Sequence, residues 1–307
     1  MAVSRRIARL QDSAESINLL QAISVTHRHV QFAQTASLLV SLLVAGLSTL
    51  AQAVSAATLA LAGAVWVVVY SFLIAPWRSR YLRTSATLQD MLDVDLFGLR
   101  WNRVMVGDRI SDDEVSRLSR RFRRDPARLR GYYLVADVPE PYDVLFCLEQ
   151  NLAWGSRVRR RFANLLSTVA VLWCGTGLIV ALATGETVNH LISTWFVPAL
   201  GLLFWCLDMF RAQMSVAHDR LRAVGLVRAV TADPASPVLA SADSFAVFAR
   251  QIQDVLFQTR LQQPRVPQWF FRRFHDSDAA DFRYKMKTLE AKLAALGPVG
   301  PSQSTAP

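Results

Sequence analysis

The hydrophobic residues of this chain are gathered in long uncharged stretches. No Lys, Arg, Asp or Glu occurs from Val30 to Trp77, a run of 48 residues. Two further runs, Phe162 to Gly185 and Thr187 to Leu207, are separated only by Glu186. Because about 20 apolar residues cross a bilayer once as a helix, each of the two regions is long enough for two crossings. We therefore predict an all-α integral membrane protein with four transmembrane helices in two hairpins, plus cytosolic helices.

The predicted spans cover residues 34–52, 56–76, 163–184 and 191–210. They divide the chain into a cytosolic N-terminal helix at 1–33, hairpin 1 at 34–76, a cytosolic helical region at 77–162, hairpin 2 at 163–210, a second cytosolic helical region at 211–296 and a disordered tail at 297–307. The alternative, buried helices of a large soluble core, is disfavoured because such helices usually alternate apolar with polar positions.

Basic residues set the orientation of the spans. The hairpin loops near 52–55 and 185–190 contain no Lys or Arg, whereas all 34 basic residues lie on the other side of the spans. The positive-inside rule then places both termini in the cytoplasm, which we take as the cytoplasmic side of a bacterial inner membrane. The net charge of +10 accordingly indicates topology and attraction to anionic lipids of the bilayer. We expect no binding to DNA or RNA polymers.

The cytosolic regions carry helix punctuation. Gly98 is predicted to end a helix, Ser111 with Glu114 forms a capping box, and Asp125-Pro126 is typical of a second helix start. A helical pattern begins at Tyr142, after two prolines, and is expected to continue for about 40 residues into the third span. All cytosolic parts are therefore predicted to be helical.

No catalytic or metal motif is present in the sequence. The chain lacks the common hydrolase, metalloprotease and phosphate-loop patterns, and Cys147, Cys174 and Cys206 have no metal-ligand spacing. Gly175 and Gly177 lie inside a predicted span, where small residues favour close helix packing. We expect no catalytic residues, no metal and no cofactor, and we expect the protein not to be an enzyme. An enzyme acting on lipid headgroups would need a nucleophile and base that the sequence does not offer.

A row of small residues follows one face of the first span. Ser37, Ser41, Ala45 and Thr49 recur at steps of four. Such a row allows two helices to approach closely. It could instead line a water-filled path, because hydroxyl groups facing water are satisfied there. The sequence leaves both interpretations open.

Arginine clusters offer candidate anion sites. The first cluster contains Arg117, Arg120, Arg121, Arg123 and Arg124, of which Arg117, Arg120, Arg121 and Arg124 are the candidate ligand-binding residues, and the second runs from Arg157 to Arg161. Guanidinium groups match phosphate oxygens in pairs, so the first cluster is our candidate ligand-binding site. The second cluster borders a span, where orientation and lipid headgroup contact account for it.

Several motifs occur in a fixed order around the two hairpins. They are Leu10-Gln11 to Gln34, Leu88-Gln89, Leu99 to Asn102, Tyr132-Tyr133, Cys147 to Trp154, Arg250 to Asp254, Arg260, and Val266 to Trp269. In this order the chain resembles the SMODS-associating four-transmembrane effector family over most of its length. The positions that carry the resemblance are Trp101, Asn102, Cys147, Asn151, Trp154, Gln253, Asp254, Arg260, Pro267 and Trp269. These residues could equally serve to hold the cytosolic helices together.

The resemblance implies a pore-forming effector of a CBASS-type bacterial anti-phage system. In such a system a cyclic oligonucleotide binds the effector, which is expected to act as a homo-oligomer in the lipid bilayer and to disrupt the inner membrane. The competing hypothesis is a non-lytic membrane scaffold or transporter whose cytosolic helices bind a protein partner. Transport would call for ionisable residues in the middle of a span, and only Asp208 comes near one, at its end.

Overall fold

Helices make up the regular secondary structure that the structure describes. The computed structural model describes residues 6–50, 56–135, 138–262 and 266–295, and no strand occurs in these ranges. The predicted all-α fold is therefore confirmed for them. The predicted hairpin loop at 52–55 and the predicted tail at 297–307 lie outside the described residues.

The first half of the chain is dominated by two long helices. Its helices are α1 (Arg6–Leu10), α2 (Ala14–Leu50), α3 (Ala56–Val69), α4 (Ala75–Phe97), α5 (Arg103–Val106) and α6 (Asp112–Ser119). A π-helical turn, Tyr70–Ile74, joins α3 to α4, and a 3-10 turn, Pro126–Leu129, follows α6. With 37 residues, α2 is about 55 Å long. It therefore extends from the predicted cytosolic N-terminal region into the first predicted span.

The second half contains α7 (Tyr142–Ala153), α8 (Ser156–Thr184), α9 (Val188–Leu191), α10 (Val197–Ala232), α11 (Ala242–Leu261) and α12 (Gln268–Ala295). A π-helical turn, Ile192–Phe196, joins α9 to α10. The helix expected to continue from Tyr142 is interrupted by a turn at Trp154 and Gly155. A Cβ on Gly155 would lie 3.3 Å from Arg159 Nε and 3.3 Å from Arg220 Nη1. The missing side chain thus lets two guanidinium groups approach the backbone at this turn.

The predicted helix boundaries of the central region are confirmed. Gly98 ends α4 with φ of 68°. Ser111 Oγ accepts a hydrogen bond from Glu114 N at 3.4 Å, at the start of α6. Asp125 Oδ1 accepts from Ala127 N at 2.9 Å, although the element that it caps is only a 3-10 turn. The short polar side chains therefore satisfy backbone donors that the helix starts leave free.

One hydrophobic core joins α2, α4, α7, α10 and α11. Residues 142–150 of α7 are all buried, which makes α7 the central helix of this core. Its fully buried leucines are Leu88, Leu92 and Leu96 of α4, Leu145, Leu148 and Leu152 of α7, and Leu256 of α11. Burial of each such side chain contributes about 1.5–3 kcal/mol. This core fixes the positions of the helices that build the site described below.

One described helical stretch, Tyr142–Thr184, is long and apolar enough to cross a membrane, and most of its apolar part is exposed. The described parts of the other three predicted spans are not identified as long and apolar enough to cross a membrane. The second and fourth predicted spans contain the two π-helical turns, and the first runs to Leu50, where the described range ends. The structure therefore confirms the helices. Among the described residues, only Tyr142–Thr184 is long and apolar enough to cross a membrane.

Apolar side chains cover the outside of the predicted spans. The exposed ones include Leu39 and Leu43 of α2, Leu61 and Val65 of α3, Leu172, Ile179 and Leu182 of α8, and Phe204 of α10. Contiguous apolar surface of this kind is unusual in contact with water and indicates contact with lipid or with another protein.

The two helices of the second hairpin pack closely at one glycine. Trp195, in the π-helical turn before α10, donates from Nε1 to Trp173 O at 3.2 Å. A Cβ on Gly177 would lie 2.4 Å from the same Nε1, whereas a Cβ on Gly175 would meet nothing within 4 Å. Of the two glycines expected to favour packing, the structure assigns that role to Gly177.

We predict that Gly177→Ala separates α8 from Trp195. The overpacked methyl group should lower the free energy of unfolding by about 1–3 kcal/mol, measured by thermal unfolding in detergent. Gly175→Ala is the matched control and should be neutral or stabilising, because alanine is the better helix former and the site is open. Equal destabilisation by both variants would contradict the packing role of Gly177.

A buried carboxyl group also makes stability depend on pH. Asp143, in the first turn of α7, is 1% exposed. Burial raises the pKa of this carboxyl to about 6, against the hydrogen bond from Val144 N. In the unfolded chain the pKa of an aspartate is about 4. Since the folded-state pKa is the higher one, stability falls as pH rises from about 4 to about 6, and the loss remains at pH 7.

Asp143→Asn should remove this loss. We expect the variant to gain at most about 3 kcal/mol at pH 7 and to show a smaller decline in stability between about pH 4 and 6 than wild type. Thermal unfolding at about pH 4.5, 5.5 and 7 measures both effects. Asp113→Asn, at an exposed position in the first turn of α6, is the control. An unchanged pH profile in Asp143→Asn would show that another group causes the decline.

Candidate functional site

A large cavity lies among α2, α7, α8, α10 and α11 on the predicted cytosolic side. Its volume is about 970 Å³. Seven arginines line it: Arg28, Arg124, Arg128, Arg159, Arg220, Arg260 and Arg283. Five aromatic residues also line it: Phe122, Tyr132, Tyr133, Trp154 and Phe271. No Asp or Glu is among the described lining residues. The cavity therefore combines strong positive charge with flat apolar surfaces.

The arginines of the cavity fall into two groups that differ in exposure. Arg159, Arg220 and Arg260 are buried, whereas the other four are exposed. Arg159 Nη1 donates to Gln213 Oε1 at 2.8 Å, and Arg220 Nε donates to Thr259 Oγ1 at 3.1 Å. Buried arginines are rare in proteins and require partners. Those hydrogen bonds hold the guanidinium groups in place in the cavity wall.

Positive charge also extends to the neighbouring part of α2. His29 stacks on Tyr81 with ring centroids 4.7 Å apart. Its pKa is lowered, first by burial and then by the positive charges of Arg121 and Arg28. Arg28 also lines the cavity, so the second contribution to this shift comes in part from the positive charge of the cavity lining.

A buried carboxylate, Asp93 of α4, lies beside the cavity. It is 1% exposed and accepts four hydrogen bonds. Oδ1 accepts from Tyr133 OH at 2.5 Å, and Oδ2 accepts from Asn151 Nδ2 at 3.1 Å, Gln253 Nε2 at 2.8 Å and Arg260 Nη2 at 2.7 Å. Oδ2 receives three donors and Oδ1 receives one, and Arg260 supplies the opposite charge, so the buried carboxylate is compensated by its partners.

A second buried carboxylate, Asp90, extends this network one helical turn away. Arg250 donates to both oxygens of Asp90, at 3.0 and 3.2 Å, and Gln253 Nε2 donates to Oδ1 at 3.1 Å. Burial raises the pKa of Asp90, and the hydrogen bond and charge of Arg250 oppose this rise. Arg250 Nε also donates to Asp254 Oδ1 at 3.1 Å, and Asp254 Oδ2 accepts from Asn102 Nδ2 at 2.9 Å. We refer to Asp90, Asp93, Asn102, Tyr133, Asn151, Arg250, Gln253, Asp254 and Arg260 as the Asp93 network.

Tyr133 connects the network to the cavity wall. Its hydroxyl donates to Asp93 and accepts from Asn151 Nδ2 at 2.7 Å. Burial, and next the charge of Asp93, raise the pKa of Tyr133 well above its ordinary value. The hydroxyl therefore stays protonated and remains a donor. Gln11 fixes the Tyr133 backbone, since its Oε1 accepts from Tyr133 N at 2.8 Å.

Comparison with known proteins places the chain in a family. The sequence profile described as the SMODS-associating 4TM effector domain matches residues 5–289. The chain belongs to this family. It is also 24% identical, over 278 residues, to a protein of Bacillus cereus (strain VD146) described as a probable CBASS effector molecule. That match covers 85% of this chain and 90% of the relative. No solved structure matches the chain.

The ten positions that carry the family resemblance fall into two groups in the structure, one inside the Asp93 network and one outside it. Five of the ten, Asn102, Asn151, Gln253, Asp254 and Arg260, belong to the Asp93 network and lie far apart in the sequence. The structure thus brings together side chains that the sequence could only place in order. They hold α4, α7 and α11 together, and two of them, Asn151 and Arg260, also line the cavity.

The other five motif positions lie outside this network. Trp154 lines the cavity at the turn between α7 and α8. Cys147 is buried in the core, where burial raises the pKa of its thiol, and Trp101 Nε1 donates to Gly107 O at 2.9 Å. Pro267 precedes α12 and Trp269 lies in its first turn, with 65% of Trp269 exposed.

The predicted arginine cluster is spread over the surface. Among its four candidate residues, only Arg124 lines the cavity. Arg117 is exposed and bonds the Glu114 carboxylate at 2.5 Å, and Arg120 and Arg121 are exposed. In the second cluster, Arg157 and Arg161 pair with Asp281 and Asp278 of α12.

The small residues of the first span are only partly described. Ser37 is 2% exposed, and its hydroxyl donates to Ala33 O at 2.8 Å within α2. This hydroxyl is satisfied without water, as expected for a packing residue. The side chains of Ser41, Ala45 and Thr49 lie outside the described part of the chain.

The described part of the chain contains no group of three His, Cys, Asp or Glu side chains that could hold a metal ion.

Sequence reasoning did not single out Asp90, Asp93 or Tyr133 as site residues. One signal was available for the two aspartates. They lie three residues apart among Met91, Leu92 and Val94, so a helix places both on one apolar face. Charged residues on such a face are buried only when partners are supplied from elsewhere in the fold.

We predict that Asp93→Ala is strongly destabilising. Its loss leaves the Arg260 charge buried without its carboxylate, which should lower the free energy of unfolding by about 3–5 kcal/mol. Asp95→Ala is the matched control, because Asp95 also pairs with an arginine, Arg109, but both side chains are largely exposed. That control should change stability by less than about 1 kcal/mol. Similar melting temperatures for both variants in detergent would refute the structural role of Asp93.

Proposed function

We propose that the chain is a membrane effector of a CBASS anti-phage system, activated when a cyclic oligonucleotide binds the arginine-lined cavity. Activation opens or assembles a pore that depolarises the inner membrane, and the protein catalyses no reaction. The observation that carries the proposal is the cavity itself, with seven arginines, five aromatic residues and no acidic residue among its described lining. Membership of an effector family and similarity to a probable CBASS effector support the same function.

The chemistry of the cavity suits a nucleotide. Guanidinium groups bind phosphate oxygens through paired hydrogen bonds. Aromatic rings and arginine planes stack on exposed bases, at about 1–3 kcal/mol per base. Ligand cavities range over about 300–1,000 Å³, and a volume of about 970 Å³ is at the upper end of that range. A ligand with several phosphates and several bases would use both kinds of surface.

The helices that line the cavity also lead into the predicted spans. Leu20 to Gln31 of α2 contribute six lining residues, and α2 continues to Leu50. Val158 and Arg159 lie in the first turn of α8, which continues to Thr184. Arg220 lies on α10, which starts at Val197. A ligand that shifts these helices at the cavity would shift the spans as well, because each helix is a single rigid element.

Activation requires a ligand that prefers one of two states. A ligand changes an equilibrium only by the difference between its affinities for the two conformations. Bound phosphates would screen arginines that repel one another across the cavity and would favour the conformation in which those arginines are closer. Four helices of one chain pack against one another, so we propose that the pore is formed by several copies. Both termini lie in the cytoplasm in this proposal.

Membrane potential in bacterial cells tests the function. Cells that carry the protein with its cognate nucleotide synthase should depolarise on phage infection, and cells that lack the synthase should not. Survival with unchanged potential would contradict the pore and would favour the scaffold hypothesis.

We predict that Arg128→Glu abolishes this depolarisation. Arg128 is exposed and lines the cavity, so the substitution places a negative charge against the ligand without disturbing the core. Arg130→Glu is the matched control, since Arg130 is exposed in the same segment and does not line the cavity. Equal loss of depolarisation in both variants would argue against the cavity as the sensing site.

A further inference from the structure

Arg260 of α11 belongs both to the Asp93 network and to the cavity wall. Its side chain is 3% exposed, and Nη2 donates to Asp93 Oδ2 at 2.7 Å. Its other terminal nitrogen, Nη1, is buried and has no hydrogen-bond partner in the described part of the chain. Because a guanidinium stays charged, an unpaired buried N–H of this group costs free energy. An acceptor brought by a ligand would remove that cost.

Asp93 does not accept from Nη1 in the structure. It takes its hydrogen bond with Arg260 from Nη2, on the oxygen that also accepts from Asn151 and Gln253. The described cavity lining has no other carboxylate. An oxygen that enters the cavity can supply the missing acceptor, and the positive lining favours an anionic one.

A second buried arginine points to the same place. Arg220 Nε donates to Thr259 Oγ1 at 3.1 Å, and its Nη1 donates to Asn151 O at 3.5 Å. Thr259 precedes Arg260 on α11, and the Asn151 side chain bonds Asp93. Arg220 is therefore anchored on α7 and α11, and Arg260 on α4, and both buried guanidinium groups line the cavity.

We propose that Arg260 Nη1 is a phosphate subsite and that Arg260 transmits its occupancy to α4 through Asp93. The proposal rests on the proposed function, since it names the group that receives the ligand and the route by which binding reaches the spans. With a phosphate oxygen on Nη1 and Asp93 on Nη2, the planar guanidinium bridges ligand and network. Asp93 lies on α4, and a π-helical turn joins α4 to α3 in the second predicted span.

The phosphate has two sources, a soluble nucleotide or the headgroup of an anionic lipid. Full-length protein in phosphatidylcholine nanodiscs, with and without inorganic pyrophosphate, tests the soluble source. Nanodiscs that contain phosphatidylglycerol, without pyrophosphate, test the lipid source. In each arm the measurements are the melting temperature and the hydrogen exchange of α4 and α11 amides.

The diagnostic variant is Arg260→Lys. Lysine keeps the charge opposite Asp93 but lacks the planar fork, so it cannot hold both oxygens in the same geometry. We expect wild-type protein to gain melting temperature and protection in α4 with one of the two phosphate sources, and the variant to bind that source about 10- to 100-fold more weakly. Arg228→Lys is the matched control, because Arg228 also pairs with a buried carboxylate, that of Glu149, outside the cavity. Its affinity should match that of wild type.

The possible results separate this inference from the proposed function. If Arg260→Lys does not fold, the double variant Asp93→Asn with Arg260→Gln removes both charges together and should show the same loss of binding. Wild-type affinity in either variant overturns the phosphate subsite. Binding that is lost in the variant but never protects α4 overturns the transmission. If neither phosphate source affects the wild-type protein, the subsite is wrong, while the membrane-potential experiment still decides the proposed function.

Discussion

The Asp93 carboxylate is buried among helices that come from distant parts of the sequence. An ionised carboxylate inside a protein costs several kcal/mol unless hydrogen bonds and an opposite charge replace its hydration. Here α7 supplies Asn151, α11 supplies Gln253 and Arg260, and the segment before α7 supplies Tyr133. If one of these elements moved alone, the buried Asp93 carboxylate would lose hydrogen bonds that replace its hydration. Three of these four donors, Tyr133, Asn151 and Arg260, also line the cavity. The shape of the cavity therefore depends on this carboxylate.

Arginine has two separate uses in this chain. Those beside the predicted spans are the basis of the predicted orientation, and two of them, Arg157 and Arg161, are paired with acidic residues of α12. The arginines of the cavity come from α2, from the segment after α6, and from α8, α10, α11 and α12. Charge that is distributed over so many elements converges only when they pack. Three of these helices, α2, α8 and α10, continue into predicted spans, which is why we propose that binding at the cavity acts on the membrane.

Patterns that depend on neighbouring residues were predictable from the sequence. The helical class, the end of α4 at Gly98 and the caps at Ser111 and Asp125 follow from local backbone chemistry, and the structure confirms them. The resemblance marked Asn102, Asn151, Gln253, Asp254 and Arg260 without indicating what they contact. The break between α7 and α8 at Gly155 was missed, because the two guanidinium groups that approach it come from the following turn and from α10.

The sequence by itself determined the helices, the apolar stretches and the asymmetry of basic residues, since each depends on hydropathy, backbone geometry or charge counted along the chain. Only the tertiary structure decided which arginines meet. Five arginines between 117 and 124 form an obvious cluster in the sequence, yet of these only Arg124 lines the cavity, together with arginines as distant as Arg28 and Arg283. The physical reason is that helices separate neighbours onto different faces and bring remote residues together. Burial then requires partners for Asp93 and Arg260, which no count along the sequence can assign.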